Sequence, residues 1–215
     1  MIRMDAEEKR LVISTVRPGT LHEFMDFWAT KYFYDDQKLH DLEKLYSNNI
    51  RGPHRVETLT ELFKWKMGVY ASVKKIRSGL EQNFLSKIEK AAGLPPDISA
   101  KDFLQVQFPN GGVIARIFWL HCWYPKRFPI YDQHVHRAMV FLRTGQVNEA
   151  DELGNLSDKK KIEQYLQYVD FFERFRAVSE ELFDNESDGV PGRKADRALV
   201  TFGFELRSKT FREMI

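Results

Sequence analysis

Between Phe108 and Gly145 the chain reads FPNGGVIARIFWLHCWYPKRFPIYDQHVHRAMVFLRTG. Asp132 is the residue there whose type and place could do chemistry. It follows the proline-punctuated loop of Pro125 and Pro129, and Val135, Ala138, Met139 and Leu142 come after it at helical spacing. That is an N-cap position, where the helix terminus lowers a carboxylate's pKa and favours its charged form. Such an aspartate is either a plain cap, worth about 1 kcal/mol, or a candidate catalytic anion. Two histidines follow it. His134 and His136 lie two apart on a helix, point in roughly opposite directions and make a poor metal pair. Asp132 and His136 are spaced i,i+4, but two ligands are too few for a site. Neither a metal nor another cofactor is expected.

The elements that must hold Asp132 are legible on either side. Phe108-Pro109-Asn110-Gly111-Gly112 is a tight turn feeding an apolar run from Val113 to Tyr124. Only Arg116 and His121 are conventionally polar in that run, so the pattern predicts a helix buried nearly all round. Thr144-Gly145 ends the second helix. Arg116, Lys126, Arg127, Arg137 and Arg143 cluster in sequence around the turn, as phosphate ligands or as a solvated rim.

Elsewhere the signals are helical. A helix dense in aromatics is expected from about Leu21 to Tyr34, with a capping box at Thr20 and Glu23. Further helices are expected over Asp35 to Ser47 and from a second box at Thr58 and Glu61. Two more should follow, Val69 to Arg77 and Leu80 to Ala92, parted near Ser78-Gly79. Ser99 can cap a short helix through Val106. Ser157 opens a long one from Asp158 to about Asp184, and a last runs from about Arg193 to Ser208. Leu11 to Val16 fits a strand or a helix end, and Asn185 to Gly192 reads as loop. The basic residues Lys64, Lys66, Lys74, Lys75 and Arg77 are interleaved with apolar ones and read as a solvated face. The fold class is all-α.

At 215 residues, 43% hydrophobic and 30% charged, the chain suits one large domain or two small lobes. A net charge of +2 permits a phosphate-binding face without predicting one. The single cysteine, Cys122, excludes intramolecular disulfides and four-cysteine metal sites and reads as a buried thiol. No apolar run approaches the roughly 20 residues of a membrane span, and the charged start MIRMDAEEKR is unlike a signal peptide. A cytoplasmic protein is expected.

The turn with Pro109, Gly111 and Gly112, the apolar helix, and the run Pro129, Asp132, His134, Val135 together resemble the helix-hairpin-helix DNA glycosylases. That family includes endonuclease III and 8-oxoguanine DNA glycosylase. The FPIYD segment is also similar to that of a bacterial branch described as 8-oxoguanine glycosylase-like. The resemblance implies DNA as partner and a two-lobed all-α fold, with residues 58–145 as the hairpin lobe and 1–57 with 146–215 as the second. It implies that a damaged nucleotide is flipped into a pocket between lobes. Asp132 would then stabilise positive charge developing on the sugar or orient a nucleophile. Backbone amides of Asn110, Gly111, Gly112 and Val113 would hold a DNA phosphate, with Arg116, Lys126, Arg127, His134 and Arg137 around them.

The chain departs from the family at one decisive place. Bifunctional members carry a Schiff-base lysine just after the hairpin glycines. Here that register gives Ile114, or Val113 or Gly112 counted back from Asp132. A glycosylase with this sequence is expected to be monofunctional, using water. The GGV turn also differs from the family's GVG or GIG, the spacing to Asp132 is slightly shorter, and the iron–sulfur cysteines of endonuclease III are missing. Two other readings stand beside this one: a DNA-binding helix-hairpin-helix protein without catalysis, and a helical interaction protein with no nucleic-acid role. An Asp132 lining a cleft favours the enzyme, and one wholly consumed as a cap favours the interaction protein.

Overall fold

A computed structural model describes residues 21–33, 37–68, 74–146, 152–177 and 192–208. The described residues form ten α-helical segments. They are α1 (Leu21–Thr30), α2 (Gln37–Asn49), α3 (Val56–Met67), α4 (Lys74–Asn83), α5 (Ile88–Ala92), α6 (Ala100–Asp102), α7 (Val113–Trp123), α8 (Gln133–Thr144), α9 (Asp158–Ala177) and α10 (Arg193–Glu205). Among the described residues there is no strand, so the fold is all-α. No helix among them is long and apolar enough to cross a membrane. Leu11 to Val16, the Thr20 cap, most of Asn185 to Gly192 and the end of the long helix past Ala177 lie outside the described residues.

The apolar run after the glycine turn becomes α7, the buried axis of the fold. Val113, Ile117, Phe118, Trp119, Leu120 and Cys122 are all in the core. Around it Phe63 and Phe84 stack at 5.4 Å, and Trp119 meets Phe84 at 5.7 Å. Such aromatic pairs add to area burial through edge and offset contacts. Helix α2 packs along α3, while α10 packs against both α1 and α8. Buried side chains from all these helices form one continuous cluster.

Caps and breaks follow local chemistry, with three corrections. Ser99 Oγ accepts from the Asp102 amide at 3.0 Å, as its position predicts. The segment then widens into a π-helical turn over Phe103–Gln107, closed by Phe108 N–H to Phe103 O at 2.9 Å. Thr58, expected as a cap, sits at the third residue of α3. Its hydroxyl accepts from the Arg55 amide at 2.9 Å and donates to Pro53 O at 2.7 Å, stitching the loop to the first turn. Helix α4 runs through Ser78-Gly79 rather than breaking there, and the expected Leu80 to Ala92 helix is interrupted after Asn83. Burial of Leu80 and Phe84 decides this, because packing outweighs the roughly 1 kcal/mol that glycine costs inside a helix. The last helix ends at Glu205, three residues early.

Gly203 shows why α10 lies where it does. A Cβ there would fall 1.9 Å from the His134 carbonyl oxygen, so α10 crosses the first turn of α8 backbone to backbone. The Gly203 carbonyl in turn accepts from Arg137 Nη1 at 2.7 Å. Helix propensity alone makes Gly203→Ala stabilising by about 1 kcal/mol. The clash reverses the sign, and the variant is expected to lose about 2–3 kcal/mol or more. A lowered urea midpoint with unchanged m-value checks this, and a midpoint at or above wild type would refute it.

Candidate functional site

Asp132 caps α8 as its position predicts. Oδ1 accepts from the backbone amides of His134 (2.9 Å) and Val135 (3.1 Å). Oδ2 turns the other way, to Lys66 Nζ at 3.1 Å. Lys66 comes from the last turn of α3, so the pair joins segments distant in sequence. The Asp132 side chain keeps 24% exposure and that of Lys66 keeps 12%. Burial pushes the Asp132 pKa up, but the Lys66 charge and the Val135 amide outweigh it and hold the carboxyl below its usual range. The carboxylate is thus half cap, half ion pair.

The loop behind Asp132 is pinned by buried hydroxyl and imidazole groups. Tyr131 lies beneath Tyr165 and Tyr168, and its hydroxyl pairs with His136 Nδ1 at 2.8 Å. His121, on α7, sits 2.7 Å from the Phe128 carbonyl through Nδ1 and 2.8 Å from the Tyr46 hydroxyl through Nε2. A carbonyl only accepts, so Nδ1 carries the proton and Tyr46 donates to Nε2. Burial pushes the His121 pKa down to about 3, so the ring is neutral. These bonds fix the path from Phe128 into α8.

A second buried network adjoins it. Arg193 opens α10, is 2% exposed, and is flanked by the rings of Tyr46 (4.8 Å) and Trp65 (4.9 Å). Its fork meets both oxygens of Glu43, at 2.5 Å and 3.2 Å. Glu43 also accepts from Trp65, Tyr32 and Arg197. Burial raises the Glu43 pKa, but Arg193 leads the interactions that bring it below its usual range. Asp196 Oδ2 accepts from Arg193, and its buried Oδ1 has no hydrogen-bond partner among the described residues. Burial therefore wins at Asp196 and pushes its pKa up to about 6, with the negative charge of Asp132 adding to the rise.

The residues implied as phosphate ligands divide by exposure. Asn110, Gly111 and Gly112 are exposed, and Gly111 takes φ +91° against the Phe84 ring. Gly112 starts α7 without a side-chain cap, and Val113 is buried. Lys126 is exposed. Arg127 is also exposed and donates to the Pro96 and Ile98 carbonyls. Arg116 and Arg137, by contrast, are held inside. Arg116 donates to Leu104 O and Pro109 O at 2.9 Å each. Arg137 meets both Glu152 oxygens at 2.7 Å. Neither guanidinium is presented to solvent. Arg143, on the other side of α8, donates to Gln167 Oε1 at 2.9 Å.

His134 sits in the first turn of α8, its ring 5.5 Å from that of Phe204. Burial lowers its pKa against the pull of Asp132, leaving the imidazole neutral near pH 7. Two residues at this site escaped sequence reasoning. Lys66 reads as part of a solvated face, yet lies mostly covered in the Asp132 pair. Phe204 is 55% exposed although it sits between buried Phe202 and Leu206. A large aromatic on the outer face of an amphipathic helix is a signal that could have found it. Trp28, Trp119 and Phe202 are core, and Trp65 is bonded to Glu43. Among the described residues no cluster of three or more His, Cys, Asp or Glu could hold a metal ion.

No protein-family model, curated protein or solved structure matches the chain.

Lys66→Met removes the main charge that keeps Asp132 ionised, so the Asp132 pKa is expected to rise. The side-chain carboxyl resonance, followed by NMR over pH, reads this directly. The depressed native pKa contributes stability above the unfolded value of about 3.9, lost as pH falls through the native pKa. The substitution should therefore cost more stability at pH 7 than at about pH 2. An unmoved titration would show that the ion pair contributes nothing.

Proposed function

We propose that the chain is a DNA-binding protein of base-excision type, a monofunctional N-glycosylase with the two-lobed helix-hairpin-helix architecture. The observation that carries this is the state of Asp132: ionised, partly exposed, and with Oδ2 outside the helix cap. In the reaction, water adds to the sugar carbon as the N-glycosidic bond breaks. The base leaves with the bonding pair and takes a proton from solvent. A fixed carboxylate opposes the positive charge that builds on the sugar, and it acts most strongly where water is scarce. The exposed Asn110-Gly111-Gly112 turn supports the DNA half of the reading. It leads into α7 with no side-chain cap, leaving first-turn amides for a phosphate oxygen.

Purified protein is to be incubated with duplexes carrying 8-oxoguanine, uracil, hypoxanthine or an alkylated base. Release of at least one base is expected, slowed about 100-fold or more by Asp132→Asn. Asparagine is as good a cap as aspartate, so the variant should stay folded, as its thermal midpoint will report. An equally fast variant, or no release from any duplex, would sink the catalytic assignment.

One observation favours a second reading, a DNA-binding protein without catalysis. Both Asp132 oxygens are engaged, one by two amides and the other by Lys66. That protein would bind DNA with an affinity that falls with salt and would release no base. Lys126→Glu should then weaken binding to every duplex and flatten the salt slope by about one. Binding indifferent to salt would count against it.

A further inference from the structure

Helices α8 and α9 touch, yet part of the space between them is open. His136, Val140 and Arg143 share one face of α8 by their three- and four-residue steps. Lys160, Glu163, Gln164 and Gln167 do the same on α9. These stripes wall a cleft of about 360 Å³, which Leu156 also lines. That volume lies within the range of small-molecule sites. The α9 stripe is polar where a packed seam would be apolar. The walls are partly fixed: His136 is buried and bonded to the Tyr131 hydroxyl, and Arg143 Nη1 donates across the cleft to Gln167 Oε1. Among the described residues Arg143, Lys160 and Glu163 make no ion pair, and the half-buried Gln164 has no side-chain hydrogen bond. Three charged groups thus line one cleft without answering one another.

We propose that this cleft binds a small amino dicarboxylate, a molecule with two carboxylates and one ammonium. The lining carries two cations, Arg143 and Lys160, and one anion, Glu163, so each charge of such a ligand has an opposite. Arg143, steadied by Gln167, keeps the rest of its planar fork for one carboxylate. Lys160 stands two turns before Gln167 on α9, roughly 10 Å along the axis, and supplies a point charge for the other. Glu163, between them in sequence, takes the ammonium. Val140 and Leu156 offer apolar surface to the methylene chain. A simple inorganic anion or a nucleic-acid strand would bring Glu163 a like charge, and an amino acid with one carboxylate would leave a cation unanswered. The cleft shares α8 with Asp132 but does not rest on the reaction proposed there.

Isothermal titration calorimetry of the full chain at fixed ionic strength tests this, with L-glutamate and L-aspartate as probes. Saturable binding of at least one is expected. The matching diacid without the amine (glutarate or succinate) and the matching amide (L-glutamine or L-asparagine) should each bind about 10-fold more weakly, or worse. Lys160→Met and Glu163→Gln should each weaken the amino dicarboxylate by about the same factor. Both side chains belong to exposed residues, so the thermal midpoints should stay at the wild-type value. No saturable heat from either probe up to about 10 mM overturns the proposal. So does a diacid or amide that binds as tightly as its parent, or an affinity unaltered in either variant. Release of a base from DNA, or its absence, bears on none of these outcomes.

Discussion

The guanidinium of Arg193 sits out of water at the start of α10, and much of the structure is arranged to make that tolerable. A buried charge costs several kcal/mol unless it is paired and hydrogen-bonded. Here the pairing draws Glu43 from α2, Asp196 from the next turn of α10, and the rings of Tyr46 and Trp65 from α2 and α3. Two consecutive helices, α2 and α3, and the distant α10 thus converge on one cation. The carboxylates share it unequally. Glu43 has donors on both oxygens and is held ionised, while Asp196 has one oxygen without a partner among the described residues and is held protonated to a higher pH.

The same helix that brings Arg193 also sets the candidate site. Thirteen residues long, α10 anchors its first turn in the ionic network and lays its last turn on α8. Gly203 permits that second contact, and Arg137 holds it through the Gly203 carbonyl. Asp132 is therefore positioned from three directions. The amides of α8 bind Oδ1, Lys66 of α3 binds Oδ2, and α10 covers the His134 that follows. The fields of the two regions also meet, since Asp132 contributes to the raised pKa of Asp196.

Much of this was legible in the residues. The N-cap at Asp132, the buried helix after the glycine turn, the Ser99 cap and the stop at Gly145 are local events, governed by backbone amides within a turn or two. Periodicity placed the apolar face of α8 for the same reason. The break at Ser78-Gly79 failed because glycine's cost is small beside the burial of Leu80 and Phe84. Thr58 failed because its hydroxyl found a carbonyl in the loop behind it. Arg116, Arg137 and Lys66 look alike in sequence to Lys126 and Arg127, since charge type says nothing about which cations will meet an internal carbonyl or carboxylate.

The sequence by itself determined that the chain is helical, where Asp132 caps its helix, and that no lysine follows the glycine turn. Each depends on residues close along the chain. Only the tertiary structure decided that Lys66 completes the Asp132 pair, that Gly203 must lack a side chain, and that Phe204 faces outward beside His134. Those depend on helices crossing from distant parts of the chain, where the approach of one backbone to another sets which groups can touch.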